Sequence, residues 1–236
     1  MKGYGQFCPV TKASEVFAQR CTPLILREML CGARRFGDLL QGLPRMSRAI
    51  LATRLKELEA VGLIAVDADP KGGDYRLTPA GEGFRPILEA LSLWGQTWGQ
   101  GQVGPEDLDP VQLAWAIRHH ADPQDRPARR LVGRLEFTGI ARRDAGFRFI
   151  WLVIEPRGID VCAKYPGFEE QVELRADLGV FTRVWLGYLG LAEAKVAIAG
   201  KAKDVAAFKR AIGLFDAPKI KSFRYSPLQA IEVPAS

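Results

Sequence analysis

Between Gly99 and Pro110 the chain reads Gly-Gln-Gly-Gln-Val-Gly-Pro-Glu-Asp-Leu-Asp-Pro, with three glycines, two prolines and almost no bulky apolar side chain. Such a stretch has little to offer a core and interrupts helical and strand periodicity alike, so it reads as a linker. It separates two unlike patterns. Before it, helix follows helix and then one short hairpin; after it, strands of alternating apolarity are interleaved with helices. The expected organisation is two domains, 1–98 and 110–236, joined by a linker over 99–109, in the α+β class.

The chain has 236 residues, 47% of them hydrophobic and 25% charged, which excludes disorder and collagen-like repetition. Its longest bulky apolar run is Phe149 to Ile154, far short of the roughly 20 residues that a membrane-spanning helix requires. Met1 to Val10 lacks the apolar core of a signal peptide. Cys8, Cys21, Cys31 and Cys162 form no Cys-x-x-Cys pair and no metal-ligand spacing, so neither a zinc site nor a disulfide scaffold is expected, and a cytoplasmic location is. The only histidines, His119 and His120, diverge by about 100° on a helix and make no metal pair. Gly200-Lys201-Ala202 lacks the preceding glycine and the hydroxyl of a phosphate loop. With no nucleophile–base constellation either, the expectation is a protein without cofactor or catalytic residues, not an enzyme, and with no membrane partner.

In the first domain, Lys12 to Arg20, Pro23 to Leu30 and Arg34 to Leu43 carry helical patterns. Ser47 stands as an N-cap before a longer amphipathic stretch whose Ile50, Leu51, Leu55, Leu58 and Val61 are expected to face the core. That leaves Arg48, Ala49, Ala52, Thr53 and Lys56 facing outward. Leu63 to Asp67 and Asp74 to Leu77 flank Pro70-Lys71-Gly72-Gly73, a hairpin with a basic tip. Thr78-Pro79 starts a last helix with an apolar stripe of Phe84, Ile87, Leu88, Leu91, Trp94 and Trp98, too rich for a small domain to bury alone, so a partner subunit is expected to cover it.

From Arg20 to Lys56 there are eight basic residues against Glu28 and Asp38, a surplus of six that equals the net charge of the whole chain. Charge is therefore concentrated on the helical segment before the hairpin. That suits either an ordinary solvated basic face or a polyanion that releases counterions on binding.

Helix, helix, short turn, capped helix and hairpin is the order of a winged helix-turn-helix. The blocks Cys8-Pro9-Val10, Leu24-Ile25-Leu26-Arg27-Glu28, Arg34-Arg35-Phe36-Gly37-Asp38-Leu39, Arg54-Leu55-Lys56-Glu57-Leu58-Glu59, Gly62-Leu63-Ile64 and Tyr75-Arg76-Leu77-Thr78-Pro79-Ala80-Gly81 resemble the HxlR-type transcription regulators of bacteria. The resemblance covers about Cys8 to Trp94. It implies a homodimer, built from the first and last helices of the domain, that places one helix per subunit in successive major grooves of double-stranded DNA. The helix from Ser47 to Ala60 fits that role, with Arg48 for a base edge and Ala49, Ala52 and Thr53 as a close-approaching surface. Arg34, Arg35, Lys56 and the wing residue Lys71 would hold the phosphate backbone. Arg54 stands open between a structural ion pair and a DNA contact, and Arg76 between the wing groove and solvent. Cys8 matches a cysteine that some members of the family use as a thiol sensor and many do not, while Cys21 and Cys31 read as small core residues within helices.

In the second domain, Pro110 to Ala121 reads as a helix, and Leu131 to Phe137, Phe147 to Ile154, Ile159 to Ala163 and Val172 to Arg175 as strands of a meandering sheet. Leu178, Phe181, Trp185, Tyr188 and Leu189 share one face of the next helix, whose adjacent face is apolar too; such a helix is either deeply buried or lies over an apolar cavity. Ala194 to Ala199 then reads as a strand and Asp204 to Phe215 as a helix. From Val172 to Phe215 this order resembles the sterol-carrier-protein type of domain. The resemblance implies a mainly antiparallel five-stranded sheet under helices, holding a fatty-acyl or sterol-like ligand, here between Phe149, Trp151, Phe181, Trp185 and Tyr188. The leading expectation is thus a DNA-binding regulator with an appended sensor for a hydrophobic effector. The alternatives are a regulator whose second domain only supports assembly, and a lipid carrier whose winged helix is an interaction module.

Overall fold

A computed structural model describes residues 3–67, 73–99, 103–217 and 219. The polypeptide divides into two compact units between Leu91 and Ser92, inside a helix rather than at the glycine-rich segment.

The first unit opens with three short helices, α1 (Pro9–Phe17), α2 (Thr22–Leu30) and α3 (Phe36–Gly42). The longer α4 (Arg48–Ala60) follows, then the antiparallel hairpin β1 (Ile64–Asp67) and β2 (Asp74–Leu77). Ser47 caps α4 as expected: its Oγ accepts from the Ile50 backbone N–H at 3.3 Å. Leu51, Leu55 and Leu58 of α4 pack with Ile25, Leu26 and Leu39 into one core, each such burial contributing about 1.5–3 kcal/mol. The Tyr75 N–H donates to the Arg34 carbonyl at 2.8 Å, tying the hairpin to the turn before α3.

Three expectations for this unit need correction. Ile50 and Val61 lie outside the core and are exposed, because a three-leucine stripe already fills the width of α4 that faces inward. Cys21 and Cys31 are not within helices: Cys31 is the C-cap of α2, and Cys21 sits at its N-cap with φ of 75°, a left-handed backbone conformation rare outside glycine. The helix expected from Thr78 to Trp98 is broken into α5 (Pro79–Glu82) and α6 (Arg85–Trp98). Pro86 contributes to the break, since it has no N–H to donate to the Glu82 carbonyl and is at home in the first turn of a new helix. Phe84, in the gap, stacks on Phe17 of α1 with ring centroids 5.1 Å apart.

The second unit holds α7 (Pro110–His120), β3 (Leu131–Thr138), β4 (Phe149–Glu155), β5 (Gly158–Cys162), β6 (Val172–Asp177), α8 (Leu178–Trp185), β7 (Ala197–Gly200) and α9 (Ala202–Ala211). The segment Gly104 to Asp109, part of the expected linker, is structured: Pro105–Asp107 forms a tight turn, and Asp109 Oδ1 accepts from the Val111 and Gln112 N–H groups to cap α7.

The sheet order is β5-β4-β3-β6-β7, with β3 and β6 parallel and the other three pairings antiparallel. It is a mixed sheet and not a meander. The chain leaves β5 at one edge and returns to pair β6 with the far side of β3. One face, carrying Leu135, Phe137, Ile150, Leu152, Ile154 and Leu174, packs with Leu113, Ile117, Phe181, Val184 and Phe208 of the helices. The Phe208 ring lies directly on Gly133, where any Cβ would stand 2.1 Å from the ring. Helix α8 stops at Gly187, whose φ of 81° lets its N–H reach the Val184 carbonyl while the Tyr188 N–H reaches that of Arg183.

Candidate nucleic-acid interface

The outward surface of α4 follows from its inward one. With Leu51, Leu55 and Leu58 buried, the 3.6-residue period turns Arg48, Ala49, Thr53 and Lys56 to solvent and leaves Ala52 half-buried. Arg34 and Arg35, in the turn before α3, are exposed as well, as is Arg45 just before the cap of α4. Among the described residues none of Arg34, Arg35, Arg45, Arg48 and Lys56 has an ion pair.

Arg20 is exposed and without an ion pair among the described residues too, whereas three other cations of the unit are engaged. Arg54 pairs with Glu57 one turn along α4, so of its two open readings the geometry takes the structural one. Arg76 grips Asp67 across the hairpin at 2.9 Å, and Arg27 holds the buried Glu28 at 2.6 Å. Lys71, expected at the tip of the wing, lies outside the described residues. The sequence reading missed Ile50, whose side chain is 49% exposed on the first turn of α4. The available signal was geometric: Ile50 and Leu51 are 100° apart, and a narrow core stripe cannot take both.

A family model described as HxlR-like helix-turn-helix matches residues 16–103. The HTH-type transcriptional regulator YvaP of Bacillus subtilis is 34% identical over 108 residues, which span 44% of this chain and 96% of that protein. The chain belongs to the HxlR-like helix-turn-helix family. Another relative, the HTH-type transcriptional regulator Rv3095 of Mycobacterium tuberculosis, is 37% identical over 119 residues, 49% of this chain and 72% of that protein. Among solved structures, quinone-bound YodB from B. subtilis is 27% identical and covers 39% of this chain and all of its own, with a TM-score of 0.34.

Ahead of the matched residues, Cys8 precedes the first turn of α1. Hydrogen bonds from the backbone amides of Thr11 and then Val10 lower its thiol pKa. Cys31, at the end of α2, is the opposite case: burial pushes its thiol up to about 12, helped by the nearby Glu28 carboxylate.

The family model ends at residue 103, and the second unit from residue 104 onward lies beyond it. There the five side chains expected to line one cavity are divided. Phe181 and Trp185 are buried in the core beneath the helices, the Trp185 Nε1–H donating to the Ile212 carbonyl at 3.1 Å. Tyr188 follows the end of α8 and is half-buried, its phenol pKa raised by desolvation. Phe149 and Trp151 belong to the opposite face of the sheet, because they alternate with the inward Ile150, Leu152 and Ile154. On that outer face Trp151 donates to Glu170 at 2.6 Å, and the guanidinium groups of Arg134 and Arg148 lie over the Phe149 ring. Phe149 and Trp151 are therefore not part of a lining shared with Phe181. An open groove of about 520 Å³ runs past Thr138, Arg175, Asp177 and Lys195, and none of the five lines it.

Among the described residues no group of three His, Cys, Asp or Glu side chains could hold a metal ion. Nor is any helix long and apolar enough to cross a membrane.

Proposed function

We propose that the first unit binds double-stranded DNA as a homodimer, each subunit laying α4 in a major groove, and that the protein thereby regulates transcription. The observation that carries this reading is the set of cations, Arg34, Arg35, Arg45, Arg48 and Lys56, that have no ion pair among the described residues and surround the exposed face of a capped helix. Unpaired like charges repel one another, and phosphates relieve that cost while releasing counterions. Membership in a family of helix-turn-helix regulators supports the same conclusion. Arg48 contacts a base edge in this reading, Ala49, Ala52 and Thr53 allow close approach, and Ser47 fixes the start of the helix. Arg34, Arg35, Lys56 and Lys71 meet phosphates. Dimerisation is supported by exposed apolar side chains on the elements the family uses for it: Phe7 and Val10 at α1, and Ile87, Leu91, Trp94 and Trp98 along α6. Selecting bound sequences from a random duplex pool tests the reading: an enriched pseudo-palindrome supports it, and retention without sequence preference refutes it.

For the second unit, the reading carried from the sequence is a sensor for a fatty-acyl or sterol-like effector, now restricted to the side of the sheet that holds Phe181, Trp185 and Tyr188. Its support is the wholly apolar inner face of α8 and the half-buried Leu186, Leu189 and Leu191 that follow. A second reading, a sensor-like domain serving only assembly, is favoured by how completely Phe137, Phe181 and Phe208 fill the space between sheet and helices. Titrating the delipidated protein with a fluorescent fatty acid separates the two. Saturable binding that changes DNA affinity supports the sensor, and no binding supports the scaffold. Cys8 is the candidate for a redox response, and a Cys8→Ser protein whose DNA binding still responds to peroxide refutes that role.

A further inference from the structure

The two hydroxyls at the start of α4 are turned inward. Ser47 Oγ accepts from the Ile50 N–H at 3.3 Å, and Thr53 Oγ1 donates to the Ala49 carbonyl at 2.9 Å. With its hydroxyl hydrogen committed to the backbone, Thr53 has its γ-methyl left for a partner. Ala49 is exposed one turn before Thr53, and Ile50, 49% exposed, lies three residues before it on the same side of the helix. The result is a small apolar surface where a DNA-reading helix would be expected to show hydrogen-bonding groups. Arg45 and Arg48 at its start and Lys56 at its end are cations without ion pairs among the described residues, while Arg54 and Glu57, one turn after Ile50 and Thr53, pair with each other. A lone exposed isoleucine needs no explanation, but an apolar surface flanked by Arg45, Arg48 and Lys56 suits a polyanion that carries apolar groups.

We propose that Ala49, Ile50 and Thr53 read the 5-methyl groups of thymine, so that each half-site of the preferred operator carries adjacent T·A pairs beneath the first two turns of α4. This rests on the reading that α4 enters the major groove. Thymine is the one base that presents a methyl group there, and apolar side chains are its natural complement. Specificity is then shared between chemistries: Arg48 selects by hydrogen bonds, while Ile50 and Thr53 select by burying methyl groups. The surrounding cations dock the helix without choosing a sequence.

The test uses the full-length protein and the duplex it selects from a random pool. Each dT of a half-site is replaced in turn by deoxyuridine, which removes the methyl and keeps the base pair. Burying one such group is worth about fourfold in affinity, so one or two positions weaken wild-type binding by about that factor. Ile50→Ala abolishes the penalty at one position, Ile50→Val reduces it partway, and Thr53→Ser, which keeps the hydroxyl, abolishes it at a neighbouring one. All three variants retain the wild-type salt dependence, the sign that the helix is folded and docked. A penalty that persists unchanged in Ile50→Ala, or a wild-type protein indifferent to every deoxyuridine, overturns the proposal while DNA binding stands. A pool with no enriched sequence overturns the docking reading, and the proposal with it.

Discussion

In the second unit Arg148 donates to Glu136 and Arg130 to Glu155, both at 2.6 Å, and Arg134 lies within ion-pair distance of Glu170 and Glu173. In the first, Arg34, Arg35, Arg45, Arg48 and Lys56 have no such partner among the described residues. Both units are rich in arginine, and a net charge of +6 for the chain does not distinguish them. Pairing does. A guanidinium held by a carboxylate on its own sheet is already neutralised: Arg148 holds the Glu136 carboxyl below the usual range, the mark of a satisfied pair. An unpaired cluster stores repulsion that a phosphate backbone can release. Where the charges are satisfied within the fold is thus as informative as how many there are.

The largest expected effect sharpens this contrast from the side of packing. Phe208→Ala removes the ring that lies on Gly133 and should lower unfolding stability by about 3–5 kcal/mol in urea. Arg148→Ala, on the outer face of the same sheet, should cost less than about 1 kcal/mol. Comparable losses would mean that the outer-face ion pairs, and not the apolar layer, hold this unit together.

A smaller effect is expected at the DNA. Arg48→Ala should weaken the preferred duplex by about 1–3 kcal/mol and relax preference at one base pair, read by fluorescence anisotropy on matched and mismatched sites. If affinity and preference are both unchanged, the register assigned to α4 is wrong. Smaller again, Cys8 should be alkylated by iodoacetamide at a lower pH than an ordinary thiol, because backbone amides favour its thiolate. Cys31, pushed up to about 12, should stay unmodified in the folded protein. Mass spectrometry of the modified peptides reads both, and faster labelling of Cys31 would contradict the assigned environments.

Local features made the first unit legible. The Ser47 cap, the turn-forming residues between β1 and β2 and the leucine period of α4 each act over a few residues, and together they specify helix, helix, capped helix and wing. What escaped was finer than the element. The pattern admitted five apolar residues to the core side of α4, and packing accepted three, which hid Ile50 from the list of outward residues.

In the second unit the strands were legible and their arrangement was not. β6 pairs with β3 across more than 30 intervening residues, and nothing local distinguishes that parallel return from one more antiparallel neighbour. The run Phe149 to Ile154 is apolar on both faces of its strand, so alternation alone could not tell which parity faces the helices. Choosing the aromatic parity gathered Phe149 and Trp151 with Phe181, whereas the register puts Ile150, Leu152 and Ile154 there. A site inferred from residue character was in this way split by a one-residue question of register.

The central claim, that the unpaired cations of the first unit meet DNA, is tested most directly by the salt dependence of binding to the selected duplex. If Arg34, Arg35, Lys56 and Lys71 each neutralise one phosphate in both subunits of a dimer, log K against log salt should fall with a slope of about −7. Replacing Arg34 and Arg35 by alanine should flatten that slope by about 3.6 across the dimer and weaken matched and unmatched duplexes alike. Replacing Arg148 and Arg175 of the second unit should leave it unchanged. A slope near zero, or one flattened by the second pair and not the first, would contradict the account.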